Sequence, residues 1–314
     1  MDKNVYWANL CILIRKESAL MEKAAEEWKE KTGNGYVMNY LGDTEEVQIH
    51  QKISEDVKRG KPGFDLIISS RFDIFCSQAG LPAIKDKLHP IGGLLPVSAE
   101  VKHAGVEDSM GLYHPLTVLL HSIVCNTSIL DGRKAPSSLE ELLDPAWEGK
   151  VCIGNTALPS GQAILFAMWY LFGDEGLDIC VKNWRQRSTP AAARHSLLKR
   201  EFPIAVLPGV FSGPAPEDTM EVICPKEGMP AVPSYAAVAE NDNWEDTVEF
   251  LKYSTASKEF QDFYRNMAIA VPANPDVPAP QGYNPQDPVL FPPWEWILKQ
   301  DVEAFKEKIL QVPS

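Results

Sequence analysis

The stretch whose reading decides the fold is Ser138–Phe172, SLEELLDPAWEGKVCIGNTALPSGQAILFAMWYLF. Ser138 is placed to cap a short helix over Leu139–Leu143, with Glu140 and Glu141 in a first turn where the helix dipole favours negative charge. Asp144-Pro145 ends that helix, because proline disfavours the helical conformation in the residue before it. Val151-Cys152-Ile153-Gly154 is a short apolar run between Lys150 and Asn155 and reads as a buried strand. The turn-rich loop Asn155–Gly161 follows, and a long apolar helix is expected from about Gln162 to Phe172. Strand, small polar loop, helix start: this order aims backbone N–H groups and hydroxyls above a sheet edge. Ligands of open α/β sheets bind at such edges.

Upstream, the pattern is β-α-β-α-β. Strands are expected at Val5–Trp7, Tyr36–Tyr40 and Phe64–Ile68, the last nearly all apolar, as a strand covered on both faces must be. Amphipathic helices lie between them, over about Glu17–Lys31 and from Asp43 or Thr44 to about Arg59. The alternation predicts a parallel α/β lobe. A helix is expected over Phe72–Gly80, then a loop-rich region up to residue 114. Tyr113–Val118 and His121–Cys125 are consecutive apolar runs. Downstream of the opening stretch, helices are expected over Glu175–Arg187 and Ala191–Lys199, and strands over Phe202–Leu207 and Met220–Cys224. A further apolar run occupies Met229–Ala239. Two amphipathic helices follow, Asn243–Leu251 and Lys258–Tyr264. Residues 272–293 are dense in proline and read as an extended wrap or linker, and a last helix is expected over Trp294–Leu310.

A chain of 314 residues is long for one core and suits two lobes. The net charge is −13, with no basic run, which gives nucleic acid or an anionic membrane no electrostatic handle. No apolar stretch approaches the roughly 18 residues that span a bilayer. None of the six cysteines (Cys11, Cys76, Cys125, Cys152, Cys180, Cys224) forms a C-x-x-C pair, so most are expected to be free buried thiols. The six histidines are scattered without an i, i+4 pair, and no preformed His-rich metal site is expected. Walker, GxSxG and HExxH motifs are absent.

The segment from Pro136 to Gly154 (PSSLEELLDPAWEGKVCIG) resembles the "sleDLldpkwkGKv" segment of the extracellular solute-binding proteins, the bilobal receptors of ABC importers, with the iron-type and oxyanion-type receptors nearest. EEWKEKTG at Glu26–Gly33, FDLIISS at Phe64–Ser70, HSIVCNT at His121–Thr127 and the region Tyr235–Gln261 resemble the same family, in the same order. The resemblance implies an α/β, two-lobed, type II-like periplasmic-binding-protein fold, each lobe a mixed, mostly parallel sheet flanked by helices. Lobe 1 would comprise residues 1–115 plus 232–272 and lobe 2 residues 116–231. Residues 273–314 would form a proline-rich segment and a C-terminal helix packed on a lobe. It implies a monomeric, non-enzymatic receptor that closes by a hinge on a small anionic or polar solute in the interlobe cleft and delivers it to a membrane permease. No cofactor, bound metal or nucleic-acid partner is implied. The chain opens Met-Asp-Lys-Asn-Val without the parts of a signal peptide. The residues alone leave two alternatives, a cytoplasmic protein or one whose export signal has been removed; the resemblance implies the second, periplasmic or extracellular and lipid-anchored.

Candidate contacts lie on loops after strands and on the crossing segments. They are Trp7, Asn9, Ser69, Ser70 and Arg71 in lobe 1, and Asn155, Thr156, Ser160, Gly161 and Phe211 in lobe 2. Tyr113, Ser234 and Tyr235 are candidates on the crossing segments. The serine pair and Arg71 suit a carboxylate or oxyanion; the plain alternative is that the serines cap a helix. Trp7 and Tyr235 have the alternative of simple packing. Iron-type receptors hold ferric ion with paired tyrosines in the loop after the strand that aligns with Phe202–Leu207. Val210-Phe211 stands there and Phe carries no oxygen, which leaves only a ferric receptor with non-tyrosine ligands as an alternative. A second alternative is a thiaminase-like transferase with Cys11 as nucleophile, for which Arg15 and Lys16 are the nearby cations. His195, beside Arg194, reads as a helix-surface residue.

Overall fold

A computed structural model describes residues 2–8, 14–41, 46–213 and 219–314, without the side chains of Ile14, Arg15, Glu46 and Val47. Asn9 and Cys11 lie outside the described residues.

In chain order the first elements are β1 (Lys3–Ala8), α1 (Ile14–Thr32), β2 (Tyr36–Tyr40), α2 (Glu46–Arg59), β3 (Leu66–Ser69), α3 (Phe72–Cys76), β4 (Leu88–His89), α4 (Ala99–His103) and β5 (Tyr113–Asn126). Then come β6 (Val151–Ile153), α5 (Pro159–Asn183), β7 (Arg185–Gln186), α6 (Pro190–Leu198), β8 (Ile204–Pro208), α7 (Gly209–Ser212), β9 (Met220–Ile223) and β10 (Met229–Ala239). The last are α8 (Trp244–Tyr253), α9 (Lys258–Met267), β11 (Val271–Pro272), β12 (Val289–Leu290), α10 (Trp294–Ile297) and α11 (Val302–Ile309). The chain divides into two compact units. Unit 1 comprises Met1–Val118, Pro233–Gln281 and Pro293–Val302, and unit 2 comprises Leu119–Val232, Gly282–Pro292 and Glu303–Ser314. Both units are mixed sheets flanked by helices.

In unit 1, β1 lies between β2 and β3, parallel to both, and the unit 1 part of β10 runs antiparallel to β3. Val5, Leu66, Ile67 and Ile68 are fully buried in this sheet, the pattern of a parallel sheet covered on both faces. Helix α1 buries Met21, Ala24, Ala25 and Trp28, spaced three and four apart. Its Trp28 ring stands 5.3 Å from Tyr253 and 6.1 Å from Phe250, which fixes α1 against α8. Gly33, at φ +80°, ends α1 in the left-handed conformation that glycine adopts without strain. The same corner holds a polar knot: Asp246 pairs with Lys3 and accepts from Tyr36 Oη at 2.7 Å and Asn34 Nδ2 at 2.8 Å. Burial works to raise the Asp246 carboxyl, but the hydrogen bonds from Lys3, Tyr36 and Asn34 outweigh it and hold it below the usual carboxylate range.

In unit 2, β6 lies between β7 and β8, parallel to both, and the unit 2 part of β5 runs antiparallel to β8 and to β9. Val151, Cys152, Ile153 and Ile204 to Leu207 are fully buried. Helix α5 begins at Pro159, earlier than the Gln162 expected, because proline is well suited to a first helical position. Gly173, at φ +65°, breaks α5 where the sequence reading placed a gap between two helices. Trp169 of α5 stacks on Phe305 of α11 at 5.3 Å and 8°.

Several elements differ from expectation. The helix expected over Phe72–Gly80 stops at Cys76, where Ser77 turns to an extended conformation. The two apolar runs at 113–125 form one strand, β5. The single last helix is two: Trp294 and Ile297 of α10 are buried in unit 1, Phe305 and Ile309 of α11 in unit 2. No helix among the described residues is long and apolar enough to cross a membrane.

Candidate functional site

The unit 1 edge is set by strand register. Ala8, the last residue of β1, and Tyr235, within β10, both lie opposite Ser69, the last residue of β3, so the ends of β1 and β3 meet at one line beside β10. Ser69 Oγ donates to the Ala8 carbonyl at 2.7 Å and accepts from Arg71 N at 3.1 Å. Its hydroxyl therefore ties β1 to the turn that launches α3. Ser70 makes no side-chain hydrogen bond among the described residues and is 3% exposed. Arg71 is 1% exposed, so its guanidinium is part of the interior and not a solvated surface group.

Trp7, paired in register with Tyr40, is buried with its ring edge-on to Tyr40 at 5.3 Å, and its Nε1–H meets no acceptor among the described residues. Tyr235 Oη donates to the Val106 carbonyl at 2.6 Å, and Trp294 Nε1 donates to the same oxygen at 3.2 Å. Tyr235 thus sits in an aromatic cluster with Phe75, Tyr113 and Trp294. In that cluster Tyr113 Oη finds no partner among the described residues, and nearby in sequence Ser234 Oγ likewise finds none. Burial pushes both tyrosine hydroxyls well above their ordinary pKa, so each is a neutral O–H.

The unit 2 edge is the loop after β6 and the start of α5. Asn155 Oδ1 accepts from Ala157 N at 2.9 Å, an Asx turn that bends the chain off the strand. Thr156 is buried, and both its N–H and its hydroxyl donate to Gln186 Oε1, at 3.0 and 3.2 Å. Gly161 packs so closely that a Cβ there would press into the Asn155 carbonyl oxygen and lie 2.9 Å from Thr156 Cα. Only a residue without a side chain fits at that point. Ser160, 8% exposed, lies 2.6 Å from His121 Nε2, and His121 Nδ1 lies 2.9 Å from the Pro230 carbonyl oxygen.

Among the sequence-derived candidates, the structure gathers Trp7, Ser69, Ser70, Arg71 and Tyr235 at one edge of unit 1, and Asn155, Thr156, Ser160 and Gly161 at one edge of unit 2. Phe211, on α7, packs half-buried on the core formed by Val124, Cys152, Ala193, Leu197 and their neighbours. His195 is exposed on α6. His121 was not among the candidates. A polar ring inside the apolar run HSIVC signals a hydrogen-bonded partner, because burying an unpaired imidazole is costly. The sequence did not say which partner.

Burial lowers the His121 pKa to about 4, against a smaller opposing effect of the Pro230 carbonyl. Burial raises four thiols, Cys125 and Cys152 to about 12, Cys224 to about 11 and Cys180 higher still, so none of these four is a thiolate at neutral pH. No group of three or more His, Cys, Asp or Glu side chains among the described residues is placed to hold a metal ion.

The fold recurs in solved structures. The iron-bound HitA of Pseudomonas aeruginosa is 19% identical, with 98% of each chain covered and a TM-score of 0.68. The ferric binding protein of Campylobacter jejuni is 14% identical, with 99% of each chain covered and a TM-score of 0.70. AfuA of Actinobacillus pleuropneumoniae, with exogenous fructose-6-phosphate bound, is 14% identical over 99% of this chain and 98% of that one, at a TM-score of 0.65. None of the curated proteins matches the sequence. Residues 61–300 match the family described as bacterial extracellular solute-binding protein, which is more than half of the chain. Two α/β units, polar strand-end edges on each and this match over most of its length identify the chain as a member of the bacterial extracellular solute-binding protein family.

Proposed function

We propose that the chain is the solute receptor of an ABC importer, active outside the cytoplasmic membrane. It captures a small anionic or polar organic solute by hinge closure and hands it to a permease without making or breaking a bond. The observation that carries this reading is the buried His121–Ser160 pair, a hydrogen bond that holds the Ser160 hydroxyl at the start of α5, just after the loop that follows β6. Such a hydroxyl beside a helix start suits an oxygen-rich guest. Support also comes from fructose-6-phosphate bound in the similar AfuA structure.

A second reading, a ferric receptor, draws on the iron-bound and ferric binding proteins of the same fold. Against it, the loop after β8 carries Val210 and Phe211, and Phe211 packs on the core. A thermal-shift series with phosphorylated sugars, carboxylates, inorganic phosphate and ferric citrate tests the choice. The receptor reading expects one or more of the organic or phosphate anions to raise the melting temperature. Stabilisation by ferric ion alone would establish the second reading instead.

A further inference from the structure

His121 lies in the unit 2 part of β5 and is 0% exposed. Its two ring nitrogens face different groups, a carbonyl at 2.9 Å from Nδ1 and a hydroxyl at 2.6 Å from Nε2. A carbonyl oxygen can only accept a hydrogen bond, so Nδ1 carries the ring proton. Burial keeps the ring neutral near pH 7, which leaves Nε2 with a lone pair and no proton. Ser160 must then donate its O–H to Nε2. A serine hydroxyl has one proton. With that proton committed to His121, the Ser160 oxygen has only lone pairs to offer. No other hydrogen bond reaches that oxygen among the described residues, and the residue keeps 8% of its exposure.

The sequence reading placed Ser160 among the hydroxyls of a loop that faces a ligand. The hydrogen-bond order narrows that role to acceptance. Resting on the proposed function, we infer that Ser160 is a specificity-determining acceptor that requires an O–H on the guest. The solute class is then an oxyanion bearing a hydroxyl, such as hydrogen phosphate or a phosphorylated polyol, and a fully deprotonated oxyanion such as sulfate is rejected. A sulfate oxygen would meet the Ser160 oxygen lone pair to lone pair, in a site with little water to screen them. His121 acts through Ser160 as a positioning residue: its tautomer, locked by the Pro230 carbonyl, fixes which way the serine proton points.

The test compares hydrogen phosphate, fructose 6-phosphate and sulfate by titration calorimetry at about pH 7.5, where phosphate and sulfate carry nearly the same charge. The chains are wild type, Ser160→Ala and His121→Phe. Wild type is expected to bind phosphate or the sugar phosphate about tenfold or more tightly than sulfate, the scale of a buried polar group left without its partner. Ser160→Ala removes the acceptor and should collapse that ratio. His121→Phe frees the serine proton and should raise sulfate binding relative to phosphate. If His121→Phe does not fold, Ser160→Ala and the wild-type ring decide. Long-range ¹H–¹⁵N correlation on the wild type should show the Nδ1–H tautomer for His121.

A protonated Nε2 overturns the inference, and so does equal binding of sulfate and phosphate by wild type, while any anion binding leaves the receptor reading standing. If none of the three anions binds, the anionic-solute reading itself fails and takes the inference with it.

Discussion

Acidification tests the interior of each unit through one histidine apiece. His114 in unit 1 is 1% exposed and His121 in unit 2 is 0% exposed, and burial lowers each to about 4 from an ordinary 6.5. A folded value below the unfolded one means that the unfolded chain takes up the proton first as pH falls. The stability held by a neutral buried ring is complete above the unfolded value and is lost progressively down to the folded one. Between about pH 7 and about pH 5, a shift of this size removes about 2 kcal/mol per histidine. With urea slopes of about 2 kcal/mol/M, that moves the unfolding midpoint of the affected unit by about 1 M.

Asp56 and Asp108 act in the opposite sense, because burial raises both carboxyls and the folded chain protonates them first. The histidine share is therefore isolated by comparison with His114→Phe and His121→Phe, not read from the raw slope. Urea unfolding followed by tryptophan fluorescence at several pH values gives the curves. The chain has eight tryptophans, among them Trp28 in unit 1 and Trp184 in unit 2. Variants whose pH dependence between about 7 and about 5 matches that of wild type would refute the argument.

Other substitutions probe single contacts. Gly161→Ala forces a Cβ against the Asn155 carbonyl and should cost about 1–3 kcal/mol in urea unfolding, with the helix start displaced. Ser69→Ala removes the bridge between the Ala8 carbonyl and Arg71 N and should cost about 1–3 kcal/mol, whatever it does to binding. Asp246→Asn leaves Lys3 without its counter-ion; the variant should be less stable at neutral pH and should converge with wild type in acid, since the contribution of a depressed carboxyl fades as pH falls through its folded value. Cys76, Cys125, Cys152 and Cys180 are buried and should resist a thiol reagent at neutral pH until urea opens the chain, as counted by mass spectrometry. Rapid labelling of Cys152 or Cys180 in the native protein would show that the unit 2 interior is open.

Much of the fold is legible because apolar runs are the direct imprint of burial. Leu66 to Ile68 read as part of a strand covered on both faces and Val151 to Ile153 as a buried strand, and in both every residue is fully buried. Met21, Ala24, Ala25 and Trp28 announce the buried face of α1. The C-terminal helix was misread for a physical reason. Helical periodicity records that a face is buried, not which core it enters, so α10 feeding unit 1 and α11 feeding unit 2 look like one amphipathic run.

The candidate site was legible as position but not as hydrogen-bond direction. The loop Asn155–Gly161 could be placed above a sheet edge, but Thr156 turning to Gln186 and Ser160 turning to His121 depend on partners 30 and 39 residues away. Local sequence carries no record of those pairings. The same holds for Tyr235, whose hydroxyl is claimed by Val106, 129 residues distant.

Native mass spectrometry of the chain, purified without unfolding, addresses most directly whether this is a receptor that holds a solute intact. The account predicts a monomer carrying one small, anionic, hydroxyl-bearing species, released on denaturation to leave a chain of unaltered mass and restored by adding that species back. Ferric ion as the sole retained guest, or a covalent change in the chain after exposure to the solute, would contradict it.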